Sequence, residues 1–258
     1  VVGLAHGSYS KEEALVLAEI VNHELIHGRD IVSVPHADAV RIKNGETYYR
    51  TLNIDHPDFL TILYAQAKTM SIDERARFYL AGQLFNAPFY QRLRTEQQMG
   101  YFVFCGAIDI MEVPGFVLVV QSPDKHPNEI EAAIFQFLED FEKSMENMEE
   151  LEFIEHRTSL VKDIMKVEEK LRDRSGRYWT EIDREHYTFE SRENLTEAVT
   201  NISFADFQDF FLNSIIHPNV SRIVIRSYGK SGDKKMRRSD KEIVDPMVFR
   251  SQMTRFVN

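Results

Sequence analysis

The chain has 258 residues, 43% of them hydrophobic and 28% charged, with a formal net charge of -10. This length accommodates one large domain or two smaller ones, and this composition excludes a disordered or fibrous chain. The acidic balance argues against nucleic acid as a partner, the single cysteine (Cys105) excludes an internal disulfide framework and a thiolate zinc cluster, and no apolar run reaches membrane-spanning length.

VVGLAHGS reads as a short strand, and SKEEALVLAEIVNHELIHG reads as a helix opened by a Ser10–Glu13 capping box and stopped at Gly28. The absence of an initiating methionine, inside an expected strand, is what a piece of a longer polypeptide would give. Residues 29–40 contain Pro35 and no clear period, which suits a connector.

TYYRTLNI and FLTILYAQA are rich in β-branched and aromatic residues, are separated by the turn-like DHPD, and read as strands. A helix follows, marked by Ser71 and Glu74, with Pro88 expected to open a second helical piece. YFVFCGAIDI and GFVLVVQS read as paired strands joined across Pro114 and Gly115. Amphipathic helices are expected over roughly 127–187 and again near 194–215, where Phe204, Phe207 and Phe211 form a core stripe. RIVIRSY reads as the last strand, before a polar segment GKSGDKKMRRSDKE read as mobile. The order predicts an α+β fold, an antiparallel β-sheet with helices packed on one face.

Two stretches carry chemistry. HELIH places His23 and His27 four apart on a helix with Glu24 beside them, the pattern with which a zinc peptidase holds its metal and activates water. Glu46 lies at a tolerable distance for a third ligand but in a turn, and Gly28 leaves His27 in a last helical turn, where a histidine also serves the helix dipole. In RLRTEQQMGYFVF, Arg94 and Tyr101 fall at one helix-to-strand turn. A permanent cation and a neutral phenol donor together suit a peptide carbonyl and the oxyanion formed from it; both are also ordinary surface residues.

FYQRLRTEQQMGYFVFCG followed by GFVLVVQS resembles the carboxyl-terminal half of the insulinase (pitrilysin, insulysin-like) family of zinc metallopeptidases, and the resemblance extends over essentially the whole chain. It implies residues 1–38 as the tail of a preceding, third α+β domain plus connector, and 39–258 as a fourth, metal-free one. That family's inverted motif, His-x-x-Glu-His, is absent: Glu152 precedes Glu155-His156 and Ile182 precedes Glu185-His186 where the first histidine belongs. The resemblance therefore implies no cofactor in this chain, and zinc in the amino-terminal half of the same polypeptide, its partner. Peptides are the implied substrates, with neither nucleic acid nor a membrane as a partner. Arg94 and Tyr101 fall where that family contacts the substrate carbonyl, which makes them the catalytic and substrate-binding pair. HELIH falls on the helix that closes the third domain and is read as coincidence. The rival readings are an autonomous zinc peptidase using His23, Glu24 and His27, and a non-catalytic docking module of the same fold. Met99 stands where the family has leucine, and CGAIDIMEVPG departs from its usual loop, which bears on substrate preference.

Overall fold

The computed structural model describes residues 2–29, 38–217, 219–229 and 239–256. In chain order they form α1 (Lys11–Val21), β1 (Thr47–Asn53), β2 (Phe59–Gln66), α2 (Ile72–Tyr90), β3 (Phe102–Ile110) and β4 (Val113–Ser122). Then follow α3 (Pro127–Glu146), α4 (Glu150–Ile164), α5 (Leu171–Asp183), α6 (Ser191–Thr200), α7 (Phe204–Phe211), β5 (Arg222–Tyr228) and α8 (Pro246–Gln252). Two compact units result: the described part of 1–37 with 165–194, and 38–164 with the described part of 195–258.

In the smaller unit the expected capping box opens α1: the Glu13 amide donates to Ser10 Oγ at 3.1 Å, and the Ser10 amide to Glu13 Oε2 at 2.7 Å. The strand expected over VVGLAHGS is not formed among the described residues. No strand among the described residues offers it a ladder, and the segment is held instead by His6, whose Nδ1 lies 2.7 Å from Ser175 Oγ and whose ring meets Tyr178 edge-on. The Pro35 connector and most of the polar segment 229–242 lie outside the described residues.

The larger unit is built on a five-stranded sheet in the order β1-β5-β2-β4-β3. All its pairings are antiparallel except β1 with β5, which is parallel. The two strands flanking DHPD are not sheet neighbours, because β5 lies between them. β5 has apolar residues on both faces, Val224 on one and Ile223 and Ile225 on the other, and a strand of that kind takes a central place. The turn between β3 and β4 also differs from expectation. It falls at Met111 and Glu112, with φ of 48° and 63°, while Pro114 and Gly115 lie inside β4. Gly115 is needed there for a close approach, since a Cβ would stand 2.4 Å from the Tyr64 ring.

Helix α2 begins as the sequence predicts, with Ser71 Oγ accepting from the Glu74 amide at 3.2 Å. The Glu74 carboxylate turns back to the amides of Lys68 and Thr69 instead of closing a capping box. Pro88 does not start a new helix. α2 runs through it to Tyr90, because Phe85, Phe89 and Leu93 are fully buried and fix the helix on the sheet across the interruption. α2 and α3 cover one face of this sheet, α7 packs against them, and Phe85 of α2 is their hub. Its ring lies 4.1 Å from that of Phe141, 4.8 Å from Phe211 and 5.5 Å from Phe116. Phe207 and Phe211 are buried in this core and Phe204 packs against it, as their helical spacing predicts. No helix among the described residues is long and apolar enough to cross a membrane.

Candidate functional site

Residues paired across the sheet share a face, so the register defines what the helices leave open. One row runs Phe104, Val119, Ile62, Ile225, and the next runs Phe102, Gln121, Leu60, Ser227. Phe102 and Phe104 are exposed, at 49% and 42%, and Leu60, Ile62, Val117 and Val119 are half-buried. α8 lies at the β1 edge, where Phe249 meets Tyr48 at 4.9 Å. The β2, β4 and β3 strands thus present an apolar surface on the side away from the core.

A polar cluster lies at one end of that surface. α2 gives way to a wider π-turn over Gln91–Glu96, anchored by fully buried Leu93, whose carbonyl accepts from the Met99 amide at 2.8 Å. This turn carries Arg94. The chain then reverses at Gln98, with a left-handed φ of 51°, and enters β3 through Gly100 and Tyr101. The Tyr101 amide donates to the Gln121 carbonyl at 3.1 Å. Arg94 and Tyr101 thereby line one open cleft of about 330 Å³, with Thr95, Gln98, Gly100, Pro123 and Asp124. The structure brings this pair together as the sequence predicts, and Arg94 has no ion pair among the described residues.

Tyr101 is half exposed but engaged at its hydroxyl, which donates to Asp58 Oδ2 at 2.5 Å. Gln121 Nε2 donates to the same Oδ2 at 2.8 Å and to Tyr101 Oη at 2.6 Å. The Tyr101 hydrogen bond, then that of Gln121, holds the Asp58 carboxyl below its usual range, and the same contact with Asp58 raises the Tyr101 phenol above its own. Tyr101 therefore stays a neutral donor. Asp58 and Gln121 escape sequence reasoning: Asp58 sits in a stretch legible only as a turn, and nothing in the spacing of 58, 101 and 121 marks them as neighbours.

The HELIH residues do not fit a metal site. His23 and Glu24 are exposed and bound to each other, Nδ1 to Oε1, at 3.0 Å, and the rings of His23 and His27 stack 6.1 Å apart at 4°. Residues 22–26 form a π-turn, so the α-helical spacing that would set two imidazoles on one ion is lost. The His27 amide closes this turn on the Asn22 carbonyl at 2.8 Å, and the His217 amide closes a like turn, Leu212–Ile216, on Leu212 at 2.8 Å. The histidine at this place ends a helix. Glu46, the sequence candidate for a third ligand, is paired with Lys241. Among the described residues no group of three or more His, Cys, Asp or Glu is placed to hold a metal.

Comparison with known proteins places these features in context. The family model for the PQQ synthase PqqF-like C-terminal lobe, domain 4, matches residues 80–179. The insulin-degrading enzyme of Bos taurus is 29% identical over 201 residues, covering 76% of this chain and 20% of its own length. The A-factor-processing enzyme of Saccharomyces cerevisiae is 26% identical over 243 residues, covering 92% of this chain and 24% of its own. The crystal structure of pitrilysin superposes with a TM-score of 0.86 at 20% identity, covering 97% of this chain and 27% of that one, and so shares its fold. The chain thus spans about a fifth to a quarter of the length of these relatives.

Proposed function

For a chain that matches the carboxyl-terminal half of insulinase-type peptidases in sequence and has their fold, we propose a role as the metal-free part of a zinc metalloendopeptidase. In this reading an amino-terminal half of the same polypeptide carries the zinc, which there activates water. The present chain supplies a wall of the substrate chamber and two polar groups, and by itself it is inactive. The open face of β2, β4 and β3 is the wall, its exposed Phe102 and Phe104 suiting the apolar side chains of a peptide.

Arg94 and Tyr101 bind the scissile carbonyl and stabilise the tetrahedral oxyanion. The observation that carries this is their convergence on one cleft where the apolar face ends. Arg94 offers a guanidinium that no carboxylate among the described residues neutralises. Tyr101 offers a hydroxyl kept protonated, which exchanges Asp58 for the substrate oxygen when peptide is bound.

The test is Tyr101→Phe in a polypeptide that carries both halves. A fall in kcat of about 100-fold with little change in KM is expected for loss of an oxyanion donor. Wild-type kcat would remove Tyr101 from the chemistry. An amino-terminal half without His-x-x-Glu-His would leave the docking-module reading instead.

A further inference from the structure

Three segments distant in sequence meet at the Tyr101 hydroxyl: the turn before β2, the start of β3 and the end of β4. Asp58 is only 8% exposed, and a carboxylate that buried needs partners. Its Oδ2 accepts one hydrogen bond from Tyr101 and one from Gln121, and the His56 ring lies beside it, with Nδ1 at 3.8 Å. His56 Nδ1 also accepts from the Asp58 amide at 3.1 Å, which fixes the turn that carries the carboxylate.

Two glycines allow this convergence. A Cβ on Gly100 would lie 2.0 Å from the Gln121 carbonyl oxygen, and a Cβ on Gly229 would lie 2.5, 2.6 and 2.7 Å from the carbonyl oxygens of His56, Asp58 and Pro57. Glycine at 100 thus lets Tyr101 reach Gln121, and glycine at 229 lets the Asp58 turn press against the end of β5. The Tyr101 ring is 52% exposed, so packing alone leaves it free to sample rotamers.

We propose that Asp58 is a positioning residue for Tyr101, its carboxylate and the Gln121 amide together fixing the phenol of a residue that shares its cleft with Arg94. The consequence for peptide binding rests on the function proposed above. Asp58 touches no substrate in this arrangement. It holds the ring in the orientation that lines the cleft and keeps the hydroxyl in its donating form until a carbonyl takes the place of the carboxylate.

The experiment is a pH titration of the chain carrying ¹³Cζ-labelled tyrosine, followed by NMR, for wild type and Asp58→Asn. Tyr101 is expected to ionise above the ordinary tyrosine value of about 10 in wild type. Its midpoint falls towards that value in Asp58→Asn while the other tyrosines do not move. An identical Tyr101 midpoint in both proteins overturns the proposal. Because Asp58 is buried, the reciprocal variant guards against misfolding: Tyr101→Phe alters an exposed ring and is expected to raise the Asp58 ionisation, read at ¹³Cγ, towards that of an ordinary aspartate. An unmoved Asp58 also overturns it. Both titrations are read without peptide, so their failure removes the role of Asp58 alone, whereas loss of the oxyanion role would show only in kcat.

Discussion

Gly100 lies so close to Gln121 that a Cβ added to it would stand 2.0 Å from the Gln121 carbonyl oxygen and 2.8 Å from the carbonyl carbon. Backbone atoms of a paired strand cannot move aside as a flexible side chain does. Gly100→Ala should therefore push the start of β3 away from β4, lengthen the 3.1 Å bond from the Tyr101 amide, and cost about 1–3 kcal/mol of stability. Denaturant unfolding checks the cost; wild-type stability with an unshifted Tyr101 resonance would show that the strands are not so closely set.

The contact between Asp58 and Tyr101 predicts a window of pH. The folded-state pKa of Asp58 is lowered, so its contribution is fully present above the unfolded value near 4 and is lost as pH falls through the lower folded one. The Tyr101 pKa is raised, so its contribution is present below the unfolded value near 10 and is lost as pH rises through the higher folded one. The difference in unfolding free energy between wild type and Tyr101→Phe should thus be a plateau across neutral pH that shrinks at both ends. A difference flat from strongly acid to strongly alkaline pH would contradict the contact.

Phe85 is fully buried among Phe116, Phe137, Phe141 and Phe211, rings contributed by β4, α3 and α7. Removing it leaves a cavity at the junction of these elements and the sheet, and Phe85→Ala is expected to cost about 3–5 kcal/mol. Exposed Phe104 meets no aromatic ring among the described residues, and Phe104→Ala should change stability by about 0.5 kcal/mol or less. Equal effects of the two substitutions would mean that the open face is packed like the core.

The HELIH residues give a prediction for metal. Zinc saturation of the purified chain, chelator-free dialysis and elemental analysis should leave equal, substoichiometric zinc on wild type and His23→Ala, since Glu24 is bound to His23 and the two rings stack. One zinc per chain, lost in the variant, would restore this stretch as a metal site.

Local and periodic signals were enough for much of this protein. The caps at Ser10 and Ser71, the stop at Gly28, the Phe204–Phe207–Phe211 stripe and all five strands of the sheet are legible in neighbouring residues, because helix ends and hydrophobic faces are set within a few positions. The resemblance around RLRTEQQMGYFVF singled out Arg94 and Tyr101, and the turn between them is short enough for sequence alone to put them together. What required the tertiary structure is whatever depends on pairing at long range. The insertion of β5 between β1 and β2, the continuity of α2 through Pro88 and the meeting of Asp58 with Tyr101 and Gln121 follow from burial and steric fit among distant segments. Those forces leave no period in the chain, and glycines such as Gly100 and Gly229 acquire their meaning only from the backbone pressed against them.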